Sequence, residues 1–222
     1  AADPTLNIVY TGFRNGDDDT DLTTLATAST GATILSDVGS YGISSTGAVD
    51  DNYDFTYANT GNLSITKAVL TATTQNATRE YGDADPTFNV AYTGFRNSDD
   101  ETDIGTLASA STGATILSNV GSYGISAAGA NATNYSFSYA NTGNLSITKA
   151  TLLATTQNAT REYGAADPAL NVVYTGFRNG DDETDLTTLA TASTGATIFS
   201  NVGTYGISAT GANATNYDFT YA

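Results

Sequence analysis

Residues Asn144 to Gly164 read Asn-Leu-Ser-Ile-Thr-Lys-Ala-Thr-Leu-Leu-Ala-Thr-Thr-Gln-Asn-Ala-Thr-Arg-Glu-Tyr-Gly. Leu145 and Ile147 alternate with small polar residues, the period-two pattern of a strand with one buried face. That stripe stops at Lys149-Ala150, and a second begins at Leu152 and Ala154 in the opposite phase, with no Gly or Pro between them. A strand that changes its buried face without a breaker is leaving one core and entering the next. Lys67-Ala68 marks the same passage, so the sequence predicts three modules, 1–67, 68–149 and 150–222, joined by linkers too short to be flexible.

Outward from this stretch the chain repeats itself with a period of 82 residues and no insertion. Ala-Asp-Pro begins at Ala2, Ala84 and Ala166; Tyr-Thr-Gly-Phe-Arg-Asn begins at Tyr10, Tyr92 and Tyr174; Arg-Glu-Tyr-Gly begins at Arg79 and Arg161. Residues 1–58 and 165–222 differ at only ten positions, which points to recent duplication or homogenisation. On this phasing the first module lacks an opening strand like Thr151 to Gly164, and the third lacks a closing strand like Asn141 to Lys149.

Within the second module, Phe88, Val90 and Tyr92 form one alternating stripe, Tyr123, Ile125 and Ala127 another, and Tyr135, Phe137 and Tyr139 a third. The turn residues Asn141 to Asn144 lead from this last stripe to Leu145 and Ile147, a pattern that predicts a hairpin. One segment has helical spacing: Ile104, Leu107 and Ala108, with counterparts at Leu22 and Leu186. Ser98 followed by Glu101 predicts a capping box at its start. The fold expected is mainly β with one short helix per repeat, as tandem β-grasp-like or immunoglobulin-like sandwich domains. The helical spacing favours the β-grasp.

Composition narrows the function. The chain has no Cys, Met, Trp or His, so it carries no disulfide framework, no thiolate and no imidazole base. Paired carboxylates exist, but no base, nucleophile or cofactor loop accompanies them, and an enzyme is not expected. With 23 acidic against 7 basic residues, the net charge of −16 repels phosphate backbones and anionic membranes, which argues against nucleic-acid partners. No apolar run reaches membrane-spanning length, so no membrane insertion is expected of this segment.

The order of motifs, Arg-Glu-Tyr-Gly-Asp-Ala-Asp-Pro, Tyr-Thr-Gly-Phe, an acidic short helix, Asn-Val-Gly-Ser-Tyr, Asn-Tyr-Ser-Phe and Leu-Ser-Ile-Thr-Lys, resembles the MBG domain of the Tyr-Gly-X type. Its most specific parts here are Tyr81-Gly82-Asp83, Tyr163-Gly164 and the runs beginning at Asn119 and Asn201. Asp37 replaces that Asn in the first copy, and Ala165 replaces Asp83 in the third, as suits a turn position. The family occurs in tandem in large bacterial surface proteins, including filamentous haemagglutinin-like adhesins. The resemblance implies an extracellular, cell-surface location, a stalk or adhesive role and no catalytic residues.

Three candidate sites follow from the residues. Alternate acids at Asp17, Asp19 and Asp21, repeated at Asp99, Glu101, Asp103 and at Asp181, Glu183, Asp185, can converge on calcium as in the first half of an EF-hand loop. Leu22 stands where that loop needs Gly and Ala28 where it needs Glu, and helix capping with dipole compensation explains the same acids. Tyr41, Tyr123 and Tyr205, or Tyr53, Tyr135 and Tyr217, would offer host-surface or matrix glycans a face if exposed; buried strand positions are the other reading. Each Arg is expected to pair with a carboxylate, and Lys67 and Lys149 to be ordinary linker residues. The partners expected are therefore neighbouring repeats of the same or identical chains, with glycans as a rival and calcium as the only candidate cofactor.

Overall fold

The computed structural model describes residues 4–222, so Ala2 and Asp3 of the first Ala-Asp-Pro lie outside it. Its secondary structure is almost all strand. The first repeat holds β1 (Thr27–Thr30), β2 (Gly39–Thr46) and β3 (Asn62–Ile65). The second holds β4 (Ala68–Thr74), β5 (Ala77–Glu80), β6 (Val90–Thr93), β7 (Ser109–Thr112), β8 (Gly121–Ala128), β9 (Tyr135–Ala140) and β10 (Asn144–Thr148). The third holds β11 (Ala150–Thr156), β12 (Val172–Thr175), β13 (Thr191–Thr194), β14 (Ile207–Thr210) and β15 (Tyr217–Tyr221). Tandem repeats and a mainly β chain are what the sequence pattern predicts; the strands form several small sheets.

These strands fall into two compact units, and the units do not follow the sequence repeat. The first contains the chain up to Ala72, Tyr92–Ala108 and Gly129–Tyr139; the second contains Thr73–Ala91, Ser109–Ala128 and Ala140–Ala222.

In the first unit β1, β2 and β3 form an antiparallel sheet, with Tyr41 opposite Leu63. This unit also takes most of the sheet ordered β6–β4–β9. Its core is Leu70, Ile104, Ala132 and Tyr135, lined by Tyr92, Phe95 and Phe137. Phe95 meets Tyr135 edge to face at 5.9 Å, an arrangement the ring quadrupoles favour.

In the second unit β10 is a central strand, parallel to β5 and antiparallel to β8, in the order β5–β10–β8–β7. β11 is likewise central, antiparallel to β12 and parallel to β15. Only Lys149 separates β10 from β11, and one core spans both: Leu145, Ile147, Ala150 and Leu152 all bury in it beside Ile125, Tyr81 and Tyr217. Each fully buried aliphatic side chain contributes about 1.5–3 kcal/mol. The change of buried face at Lys149-Ala150 thus passes from one sheet to the next within a single core.

The central strand decides whether its neighbours are strands at all. Val172-Val173-Tyr174-Thr175 is β12 because β11 lies beside it. Ile8-Val9-Tyr10-Thr11 has nearly the same sequence, yet it joins no ladder, and Val9 is 86% exposed. Tyr53 to Tyr57 likewise joins no ladder, whereas its counterpart is β15. Strand propensity is equal in the copies; the partner differs.

Three local expectations are corrected. The stripes ending at Tyr139 and beginning at Leu145 do not make a hairpin, because β9 pairs in the β6–β4–β9 sheet and β10 between β5 and β8. The short helix is a three-residue 3-10 turn at Asp19–Asp21, Glu101–Asp103 and Glu183–Asp185. Ile104, Leu107 and Ala108 are not on it: Ile104 is already extended and buried in the core, Leu107 is exposed, and Thr106 exchanges backbone bonds with Asn131. The capping box also sits elsewhere. Asn97 and Ser98 have positive φ and close a turn on Arg96, so the cap is Asp100, whose Oδ1 accepts from the Thr102 amide at 2.8 Å. Asp103 reaches back to the Asp100 amide at 2.9 Å.

Candidate functional site

The acidic turn is built to be held by a tyrosine. In the third repeat the Tyr217 hydroxyl accepts from the Arg178 amide at 2.9 Å and donates to Asp181 Oδ2 at 2.6 Å. The same triad is made by Tyr135 with Arg96 and Asp99, and by Tyr53 with Arg14 and Asp17. Gly176, between Tyr174 and Phe177, permits the close approach that sets this loop down. Its φ is +107°, and a Cβ there would stand 2.8 Å from the Thr151 carbonyl oxygen of β11.

At the junction of the second and third repeats a second tyrosine joins. The Tyr81 hydroxyl donates to the same Asp181 oxygen at 3.0 Å, and its ring meets Tyr217 edge to face at 5.5 Å. Both rings are buried, Tyr81 4% and Tyr217 2% exposed. Next to it, Gly82 has φ +83°, and a Cβ built on it would lie 2.5 Å from the Arg178 Cβ. The Arg178 guanidinium then reaches Asp83 at 3.6 Å and Glu80 at 3.8 Å. Tyr, Gly and Asp of the second repeat therefore each touch the Gly-Phe-Arg loop or acidic turn of the third. The ion pairs are about half exposed and contribute roughly 0–1 kcal/mol. Burial of the two rings outweighs them severalfold.

Around this centre run polar seams that recur one period apart. Asn216 Oδ1 accepts from the Val120 amide at 3.0 Å while its Nδ2 donates to Asn119 Oδ1 at 2.9 Å. Within the first unit, Asn134 does the same with the Val38 amide and with Asp37, so Asp37 replaces Asn119 without loss of the bond. Asn179 donates to the Ile116 carbonyl and Asn97 to that of Ile34. The lysines expected to be ordinary linkers are anchored here: Lys149 Nζ donates to the Ala214 and Tyr217 carbonyls at 3.0 and 3.3 Å, and Lys67 Nζ to that of Ala132 at 2.8 Å.

Of the nine candidate calcium ligands, Asp17, Asp99 and Asp181 accept from tyrosine hydroxyls, and Asp21, Asp103 and Asp185 accept from the amides of Asp18, Asp100 and Asp182. Asp19, Glu101 and Glu183 are exposed within the 3-10 turns. A polar hollow of about 260 Å³ brings Asp181 and Asp185 near Asn119 and Asn216. Among the described residues no three carboxylates or other metal-binding side chains converge. The cap residues Asp18, Asp100 and Asp182 escape the alternating pattern because they sit between its members; their Thr hydroxyl and amide partners hold these carboxyls below the usual range.

The candidate tyrosines differ in exposure: Tyr205 is 43% exposed, whereas Tyr135 is 3% and Tyr217 2%. Tyr41, Tyr123 and Tyr205 donate to the carbonyls of Asp37, Asn119 and Asn201, each at 2.9 Å, and Tyr135 and Tyr217 are buried. Three arginines pair as expected: Arg79 with Asp85 and Arg161 with Asp167, both at 2.6 Å, and Arg178 as above. Nothing in spacing could have linked Tyr81 to Asp181, which lie 100 residues apart.

Comparison with known families fits this geometry to a name. The family model described as MBG domain (YGX type) matches residues 1–64, 70–146 and 152–222. The chain belongs to the YGX-type MBG domain family. The MBG motif residues Tyr81, Gly82 and Asp83 are thus the ones that dock one repeat onto the next. Tandem MBG repeats are consistent with a repeat segment of a surface protein. Searches of curated proteins and of solved structures each found no match. No helix among the described residues is long and apolar enough to cross a membrane.

The MBG junction carries a pH signature. Burial first, and then the Asp181 carboxylate, push the Tyr217 phenol well above its ordinary value of 10.0; burial also raises Tyr81. A raised phenol favours the neutral form in the folded state. Its stabilisation is intact below the unfolded value and is lost as pH rises through it toward the folded value. On the alkaline side, thermal melts are expected to hold from neutral pH to about pH 10 and to fall above it. Tyr217→Phe, which cannot ionise, is expected to flatten that fall, and an unchanged alkaline slope would remove Tyr217 as its source.

Proposed function

We propose that these MBG repeats form a structural segment of an extracellular bacterial surface stalk or fibre, giving reach and mechanical strength to adhesive parts. The observation that carries this reading is the single core running from β10 through Lys149 into β11, locked by Tyr81, Gly82 and Asp83. Repeats fused through a shared core transmit position along the chain, as solenoid arrays do. The net charge of −16 keeps neighbouring fibres apart. The role is non-catalytic, and the partners are adjoining repeats. Antibodies raised against residues 1–222, used for immunogold labelling of intact source cells, are expected to place gold outside the envelope and to lose it after external protease. Label that appears only on permeabilised cells would retire the proposal.

A second reading is a filament subunit joined by strand donation. It is favoured by Ala159 to Glu162 and Gly203 to Gly206, the counterparts of the segments that β10 pairs with, which join no ladder in the third repeat. Ala159 to Arg161 and Gly203 to Gly206 line a cleft of about 680 Å³ together with exposed Val202 and Tyr163. Unpaired edges of this kind accept a strand. Light scattering that stays at the 22.8 kDa monomer mass as concentration rises would dismiss this reading.

A further inference from the structure

The strand order of the second unit has a mechanical meaning. In the third repeat the first strand and the last are parallel partners, from Ala150 opposite Tyr217 to Ala154 opposite Tyr221. In the second repeat the early strand β5 and the closing strand β10 are also parallel, from Ala77 opposite Leu145 to Glu80 opposite Thr148. Tension along the chain pulls an early strand toward its own N-terminus and a late strand toward its own C-terminus. For parallel partners those pulls act along the ladder, in opposite directions and from opposite ends. Every bond across the pair then strains together. In a pair pulled apart from one shared end, the bonds break one after another.

We infer that the second and third MBG repeats are shear clamps, in which the parallel pairing of an early and a late strand makes end-to-end tension the direction of greatest resistance. The pairs are reinforced where the pull enters and leaves. At the entry of β11 the Ala150 amide donates to the Asn216 carbonyl at 3.0 Å, and Lys149 Nζ grips the Ala214 and Tyr217 carbonyls. At the far end Thr156 donates to the Ala222 carbonyl and Ala222 to that of Ala154, both at 3.0 Å. Past the end of β5 the Tyr81 amide donates to the Thr148 carbonyl at 2.8 Å. Leu145, Ile147 and Leu152, all but fully buried, must be dragged through the core before either pair can slide. With only Lys149 between them, β10 hands tension directly to β11, so the clamps act in series.

The clamp deepens the stalk reading and rests on it for its biological use, but it is measured on the purified chain. The chain has no cysteine, so pulling points can be set by substitution at exposed sites. In single-molecule force spectroscopy of the full 222-residue chain, Thr151→Cys with Ala222→Cys loads β11 and β15 from opposite ends. Thr151→Cys with Asp218→Cys loads the same pair from one shared end and encloses nearly the same length of chain. The first is expected to rupture at a force at least about twofold higher, since forced unfolding is set by the barrier along the path taken. Equal forces, or a higher force for the second, would overturn the clamp. Gln75→Cys with Thr148→Cys, against Gln75→Cys with Thr142→Cys, repeats the comparison on β5 and β10 should a substitution in β11 disturb folding. Failure here leaves the immunogold result untouched, and failure of surface labelling leaves the force ratio untouched.

Discussion

Tyr217→Ala is expected to lower the stability of the second unit by about 3–5 kcal/mol, the range for removing a buried aromatic ring. The ring is 2% exposed and stands edge to face with Tyr81 at 5.5 Å and with Phe177 at 5.7 Å. Truncation opens a cavity among β11, β15 and the acidic turn, and strips the Arg178 amide and Asp181 of their shared partner. Hydrogen exchange read by mass spectrometry localises the loss: amides of β11 and β15 should exchange fastest relative to the parent. Tyr217→Phe keeps the ring and should cost about 1.5–3 kcal/mol, the worth of a hydrogen bond to a charged group. The chain supplies its own control in Tyr53, which makes the same hydroxyl bonds but is only half-buried. Tyr53→Ala should cost clearly less; an equal cost would mean that the junction adds nothing to the ring.

The second large effect is expected from a single methyl group. Gly82 and Gly164 occupy the same place in successive copies, with φ +83° and +80°. Alanine at either position suffers the left-handed backbone strain, about 1–2 kcal/mol. At Gly164 nothing lies within 4 Å of the new Cβ, so Gly164→Ala should cost little more than that. At Gly82 the Cβ would meet the Arg178 Cβ at 2.5 Å and its Cγ at 2.9 Å. The near end of a side chain cannot swing away as its tip can, so the third-repeat loop must shift, adding about 1–3 kcal/mol of overpacking. Paired denaturant melts of the two variants test this, and equal midpoints would show that the Gly-Phe-Arg loop docks too loosely to feel the methyl.

The sequence makes the strands easy to find and their partners hard. Period-two stripes place Leu145, Ile147, Leu152 and Ala154 on buried faces, where they are. Alternation reports which side of a strand is wet, and says nothing of which strand lies alongside. For that reason β9 and β10, consecutive and joined by turn residues, have the pattern of a hairpin although each pairs elsewhere. The acidic segment misleads for a different cause. Ile104, Leu107 and Ala108 have helical spacing by coincidence, since one buries from extended backbone and another faces solvent. The Tyr-Gly-X segment is legible as a motif and silent as a mechanism, because its contacts lie in the following copy.

The boundaries of the compact units fall inside the second repeat, out of step with the 82-residue period. Unequal crossing-over between gene copies cuts at an arbitrary point of that period. Because the period is uninterrupted, any such exchange rejoins each half-core to a matching half, whichever base the cut falls on. Gain or loss of whole periods then changes the length of the repeat array while every junction inside it is regenerated intact. A core shared between neighbours, which would be a liability for mosaic proteins shuffled domain by domain, is here preserved under recombination by the exact 82-residue period.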